Sequence, residues 1–68
     1  MKFKIAVLKP NNEIVYVSEF IISGNGFICT KDINQAFIFK DAEEVFKRIE
    51  QLKKDNYLDV EFFVIGAN

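Results

Sequence analysis

The sequence predicts an α+β fold, in which one amphipathic helix packs on one face of a mostly antiparallel sheet of four or five strands. Most of the chain consists of short β-rich runs separated by turn residues, and a single segment, about 41–55, has helical periodicity. The connections between the runs are too short for parallel crossovers, except the one that contains the helix. We therefore expect the order β-β-β-β-α-β in a single compact domain over residues 1–68.

The first two strands are predicted to form a hairpin. Residues 2–8 alternate at first and place one apolar set on a common face: Phe3, Ile5 and Val7. Residues 9–13, KPNNE, supply a proline and two asparagines, which favour the backbone angles of a tight turn. Residues 13–22 form a second β-rich run, long enough to bend or bulge near Ser18 and Glu19.

Residues 20–30, FIISGNGFICT, contain two of the three glycines in the chain. A dinucleotide fingerprint requires a third glycine at the start of a helix, and a P-loop requires Gly-Lys-Ser/Thr, whereas this stretch continues into the β-rich run FICT. We interpret Gly24-Asn25-Gly26 as a turn. The segment then either folds over the second face of the sheet or extends the sheet.

The next segments are a polar turn, a short strand, the helix and a final strand. Residues 30–35 are predicted to form one helical turn capped by Thr30 or Asp32, and residues 36–39, AFIF, a fourth strand. Residues 59–66 form the last strand. The two predicted strands flank the helix, as the fold class requires.

The helix has both a start signal and an amphipathic pattern. Asp41 and Glu44 have the spacing of a capping box. One apolar stripe recurs at helical spacing: Ala42, Val45, Phe46, Ile49 and Leu52. Three favourable i, i+4 charge pairs mark the solvated side: Glu43–Lys47, Glu44–Arg48 and Glu50–Lys54.

The composition argues against an enzyme and against a metal or cofactor site. The chain has no histidine and one cysteine, so neither a disulfide nor a Cys/His zinc site is expected. Cys29 has no histidine to activate it, and it lies in an apolar strand, where cysteine packs as a small hydrophobe. Glu43 and Glu44 point about 100° apart on a helix and do not converge on one atom.

The charge and hydropathy of the chain indicate a cytoplasmic protein that does not bind nucleic acid. A net charge of -1 lacks the basic excess of a nucleic-acid binder. The apolar run that follows the basic start is too short for a signal peptide, and no run is long enough for a membrane span. A free thiol agrees with a reducing compartment.

The apolar residues exceed what one helix can cover. The helix covers one face, while the other receives Leu8, Phe63 and Ile65 together with one of two pairs, Val15/Val17 or Ile14/Tyr16. We take Val15 and Val17 as the candidate pair. An apolar face of this kind is larger than a monomer normally exposes, so it predicts a protein interface.

A domain of 68 residues also gains from a partner, because its own core buries little surface. The expected partner is a second copy, in a homodimer, or a different protein target. The alternative is a small oligomer that sequesters a nucleotide or another small ligand. The only residues that we identify as possible hydrogen-bond donors to such a ligand are five lysines: Lys2, Lys4, Lys9, Lys31 and Lys40.

The stretch from Gly26 to Leu52 resembles a pattern found in very small proteins encoded by bacteriophages of low-GC bacteria. The shared features are these: Gly26-Phe27, Thr30, Asp32, Ala36, Phe39 and Glu43-Glu44. The resemblance implies a non-enzymatic protein that acts in the host cytoplasm by binding a host protein, as anti-CRISPR and other anti-defence inhibitors do. It implies no particular binding residue.

Overall fold

The structure is a computed structural model that describes residues 2–21, 26–56 and 59–67. Four antiparallel strands form one sheet in the order β3-β2-β1-β4. The elements are β1 (Lys2–Leu8), β2 (Ile14–Phe20), β3 (Phe27–Thr30), a 3-10 helix (Ile33–Gln35), α1 (Ala42–Asn56) and β4 (Glu61–Ala67). The α+β class is confirmed.

The hairpin between β1 and β2 forms as predicted. The Lys9 N–H donates to the Glu13 carbonyl at 2.9 Å, and the Asn12 N–H donates to the Lys9 carbonyl at 2.9 Å. Asn12 has a φ of 68°, the left-handed conformation that asparagine tolerates better than most residues. The Asn11 side chain accepts a hydrogen bond from the Glu13 N–H at 3.0 Å. The turn therefore closes on the Lys9–Glu13 pair.

The bulge predicted in the second strand is also present. The register between β2 and β3 shifts between Val17 and Glu19, and the Ser18 hydroxyl donates to the Ile28 carbonyl at 3.0 Å. Beyond the bulge, Phe20 pairs with Phe27. A bulge bends a strand and increases its local twist.

The glycine-containing stretch extends the sheet. Phe27–Thr30 forms the edge strand β3, and the Ile21 N–H donates to the Gly26 carbonyl at 3.1 Å. Of the turn predicted at Gly24-Asn25-Gly26, the first two residues lie outside the described residues, and Gly26 itself has no positive φ. The described parts of residues 20–30 thus add a strand beside β2.

The prediction of a strand at residues 36–39 is wrong. This segment forms an isolated bridge, in which Phe39 and Phe3 exchange two backbone hydrogen bonds of 2.8 Å. The Phe37 N–H donates to the Val17 carbonyl at 2.8 Å. The segment therefore bonds to both β1 and β2 beyond the Ala6–Tyr16 pair, where the pairing of these two strands ends, and its backbone is satisfied without a regular ladder. The order is β-β-β-α-β.

Side-chain caps begin both helices. The Asp32 carboxylate accepts from the Asn34 N–H at 2.9 Å, which confirms the predicted helical turn and one of its two candidate caps. The Asp41 carboxylate accepts from the Glu43 N–H at 2.9 Å at the start of α1. Both contacts satisfy N–H groups that have no partner within their own helix.

The core lies between α1 and one face of the sheet. Its buried members are Ile5, Val7, Val15, Val17, Phe39, Val45, Ile49 and Leu52. Phe46, predicted to belong to the apolar stripe, is 59% exposed instead. Phe46 lies 100° around the helix from the fully buried Val45, which places it on the flank of the stripe.

The solvated side of α1 carries fewer ion pairs than its sequence predicts. Among the described side chains, Lys47 and Glu43 lie 3.4 Å apart, whereas the other two predicted pairs do not come within contact distance. The Arg48 guanidinium lies 4.5 Å above the centre of the Phe20 ring. The arginine therefore contacts an aromatic ring of β2 rather than its helical neighbour.

Candidate functional site

The face of the sheet opposite α1 carries an apolar groove of about 490 Å³. Seven residues line it, of which Val64 also packs against the core. We call this surface the open face and define it by the other six: Ala6, Leu8, Ile14, Tyr16, Phe63 and Ile65. Ile14 is 55% exposed and Phe63 is 45% exposed. Two large apolar side chains therefore border the groove in contact with water.

The strand register brings these residues together from three strands. Ala6 of β1 pairs with Tyr16 on one side and with Phe63 on the other, while Leu8 pairs with Ile14. Cross-strand partners have neighbouring side chains on the same face of a sheet. The groove thus runs across the centre of the sheet.

The structure places the sequence-predicted interface residues on both faces. Leu8, Phe63 and Ile65 lie on the open face. Val15 and Val17 are 6% and 0% exposed and belong to the core beneath α1, which corrects the choice between the two candidate pairs. The register of the hairpin distinguishes the two pairs. A turn that closes on Lys9–Glu13 places Ile14 opposite Leu8, and the two side chains then lie on the same face.

The 3-10 helix borders the open face at the Lys4 end. Lys4 follows the same alternation as Ala6 and Leu8, yet it is only 9% exposed. Its ammonium donates to the Ile33 carbonyl at 2.7 Å, so the chain at Ile33 lies over this end of the face. Because a buried ammonium needs an acceptor, this contact gives Lys4 a structural role.

A second cavity, of about 370 Å³, lies on the helix side of the sheet near its β3 edge. Its walls include Val7, Val15, Phe27 and Val60, with Cys29 among them. The desolvation of the Cys29 thiol raises its pKa, and the Lys9 charge acts in the opposite direction with less effect. A raised pKa lowers the thiolate fraction at neutral pH. Cys29 is nevertheless exposed, so the prediction that it packs as a small hydrophobe is wrong.

An ion-pair cluster stands at the mouth of this cavity. The Lys9 and Lys31 ammonium groups each lie 3.1 Å from a carboxylate oxygen of Glu13. The hydrogen bond from Lys9, followed by that from Lys31, holds the pKa of the Glu13 carboxyl below its ordinary value. Two of the lysines considered as ligand donors therefore already pair with a carboxylate, and Lys4 pairs with a carbonyl.

This cluster predicts a specific pH dependence. Since the folded-state pKa of Glu13 is lowered, its ion pairs stabilise the fold at neutral pH, and that contribution disappears as the pH falls through the lowered pKa. An NMR titration of the Glu13 carboxyl is expected to give a midpoint below that of an unfolded glutamate. Lys9→Met and Lys31→Met should each raise the midpoint, and added salt should do the same.

The control for this titration is Lys47→Met, because Lys47 pairs with Glu43 on α1. It should leave the Glu13 midpoint unchanged. An equal shift in all three variants would show that the general charge of the protein, and not this cluster, sets the pKa.

Comparisons with protein-family models, with curated proteins and with solved structures find no match to this chain. Within residues 2–21, 26–56 and 59–67, no three metal-ligating side chains come together. In the same ranges, no helix is both long and apolar enough to cross a bilayer. The open face is thus the feature from which we infer a function.

Proposed function

We propose that this domain acts by binding another protein through its open face. The observation that carries this proposal is the apolar groove between the exposed side chains of Ile14 and Phe63. An apolar patch that spans three strands costs free energy in water, and a protein partner removes it from water. The proposed activity is therefore binding without catalysis.

The shape and chemistry of the open face suit a protein better than a small molecule. Small-molecule sites enclose most of the ligand, whereas this groove is a shallow depression on a sheet. Tyr16 and Phe63 supply the aromatic surface that is enriched at the centre of protein interfaces. The Lys4 ammonium on this face bonds to the Ile33 carbonyl, and the other charged residues of β1 and β4 on the same face, Lys2 and Glu61, stand at the ends of their strands.

The class of partner that we propose rests on the resemblance of residues 26–52 to small phage proteins. That resemblance supports a host protein as the target, such as a component of a defence system, and inhibition or modulation as the result of binding. On this proposal, the 3-10 helix and the groove form one continuous contact surface on the same side of the sheet.

The test is site-specific photo-crosslinking in the cells in which the protein acts. A benzophenone amino acid replaces Tyr16, a half-buried aromatic residue of the open face. We expect a discrete covalent adduct with one cellular protein. The matched control carries the same amino acid at Phe37, which is 42% exposed and contacts the rings of Phe20 and Phe39.

A second substitution tests whether the groove itself is responsible. Phe63→Asp places a charge at the edge of the groove and should abolish the adduct formed at position 16, while the protein stays folded. Adducts of equal yield from positions 16 and 37, or none from position 16, would contradict binding through the open face.

A further inference from the structure

The two edges of the sheet differ in how they are protected. The β3 edge is four residues long and faces a bulge in β2. The β4 edge has seven residues in unbroken register with β1, and its one charged residue, Glu61, stands at its first position. Short strands, bulges, charges and prolines keep edges from pairing with other strands, and β4 has these only at that end.

The backbone groups that β4 offers at this edge follow from the register. Phe3 exchanges hydrogen bonds with Phe39, so Phe3 and its alternate neighbours in β1 face away from β4. The residues between them bond to β4, so Lys4 pairs with Ile65 and Ala6 pairs with Phe63. The outward N–H and C=O groups therefore belong to three residues: Phe62, Val64 and Gly66. No strand among the described residues pairs with them.

We propose that a second copy of this chain pairs with that edge, β4 against β4 in antiparallel orientation, about a two-fold axis at Val64. Val64 then pairs with its own counterpart, and Phe62 pairs with Gly66 of the other copy. All three pairs use outward-facing groups, so the register is self-complementary, as an isologous interface requires. A Cβ at Gly66 would meet no atom within 4 Å, so the helix-side face of the sheet is open beside this position.

The side chains agree with the same register. On the open face, Phe63 of each copy comes opposite Ile65 of the other, which makes two close apolar pairs. The Glu61 carboxylates stand at opposite ends of the paired strands. Glu61 is six positions from Ala67, roughly 20 Å along a strand, so the like charges remain apart.

The exposed Phe46 gains an explanation from this arrangement. Arg48 lies over Phe20 of β2, and Phe46 stands about 200° from Arg48 around the helix, on the flank toward β4. Because α1 packs over β1 and β4, pairing of the two β4 strands brings two copies of α1 side by side. Their axes lie two strand spacings apart, roughly 10 Å, a normal distance for packed helices. Phe46 of each copy then faces the other helix.

The pairing also enlarges the open face. The sheet of one copy, with four strands of up to seven residues, presents roughly 400 Å² in projection. A standard protein interface takes about 800 Å² from each partner. A two-fold axis perpendicular to the sheet puts both open faces on the same side, so the dimer presents about the standard area.

The experiment combines mass measurement with amide exchange on the full chain. Light scattering should show the mass rising from 7.9 kDa toward twice that value as concentration increases. Hydrogen exchange of the Phe62, Val64 and Gly66 amides should slow by about tenfold or more over the same range. The amides of Phe63 and Ile65, which bond to β1, should not depend on concentration.

Two variants block the edge in different ways. Val64→Pro removes the central outward N–H, and Gly66→Glu adds a charge in open space at the edge. Each should hold the mass at that of one chain, and circular dichroism checks that the fold survives. The control is Ile28→Glu, which adds the same charge to β3, where Ile28 is 48% exposed. It should leave the dimer intact.

A single-chain mass at every concentration, with fast exchange at Val64, would overturn the inference. So would a dimer that persists in both folded edge variants and is lost in Ile14→Asp, since that dimer would form through the open face. Neither result changes the expected crosslink between position 16 and a cellular protein. Failure of the dimer and failure of the proposed function are therefore distinguishable.

Discussion

Phe39→Ala is expected to unfold a large part of the population of this domain. Phe39 is 3% exposed, and its ring lies 5.9 Å from the Phe20 ring and 4.8 Å from the Phe37 ring, centre to centre. Removing a buried phenylalanine costs about 3–5 kcal/mol. A domain of this length has a total stability of about 3–10 kcal/mol, so the loss is a large fraction of the whole.

Urea denaturation followed by circular dichroism measures this effect, at concentrations low enough to keep the chain monomeric. Phe46→Ala is the matched control, because Phe46 is 59% exposed and alanine favours a helix more than phenylalanine does. Its free energy of unfolding should change by no more than is typical of surface substitutions, about 0.5 kcal/mol. Equal losses in the two variants would show that Phe39 does not hold the segment between β1 and β2.

Val17→Asp is expected to abolish folding, whereas Ile14→Asp leaves the fold intact. Val17 is fully buried beneath α1, and a carboxylate there would lie in an apolar environment without a partner. Ile14 stands on the opposite face and is 55% exposed, so its replacement remains in water. The two substitutions add the same charge to the same strand. They differ only in which face receives it.

Dispersion of the amide signals in a proton–nitrogen NMR spectrum separates the two outcomes. Val17→Asp should give the narrow dispersion of an unfolded chain, and Ile14→Asp should retain the native pattern while it loses the crosslink from position 16. If Ile14→Asp also unfolds, the groove residues contribute to the core, and the open face is part of the hydrophobic interior.

Local signals predicted most of the backbone. The proline and asparagines of residues 9–13 specify their turn because few residues tolerate its angles, and Asn12 adopts the expected positive φ. Asp32 and Asp41 cap their helices because each carboxylate reaches an N–H two residues ahead. These features involve neighbours in sequence, so the sequence alone contains the interacting groups.

Residues 36–39 show where local signals fail. Their composition is that of a strand, but a strand requires a partner with a free edge in register. The pairing of β1 with β2 ends at Ala6–Tyr16, and beyond that point the segment bonds to Phe3 on one strand and Val17 on the other. Its structure depends on two strands more than 15 positions away in the chain, which no periodicity in the segment reveals.

The candidate site divides in the same way. Alternation in β1 and β4 predicted that Leu8, Phe63 and Ile65 share one face, and all three line the groove. Residues 14–17 of β2 are apolar on both faces of the strand. The sequence pattern therefore does not show whether Val15 and Val17 or Ile14 and Tyr16 face the core. Only the hairpin register resolves them.

Local patterns in the sequence specify an α+β domain with one capped amphipathic helix, a tight hairpin and more apolar surface than one helix covers. They do so because caps, turns and side-chain periodicity act over a few residues. Three further features appear only in the folded domain: Phe27–Thr30 extends the sheet, Phe46 stays outside the core and one sheet face is open. Each of these depends on which distant strands pair and where α1 lies, and such contacts are set by packing across the whole domain.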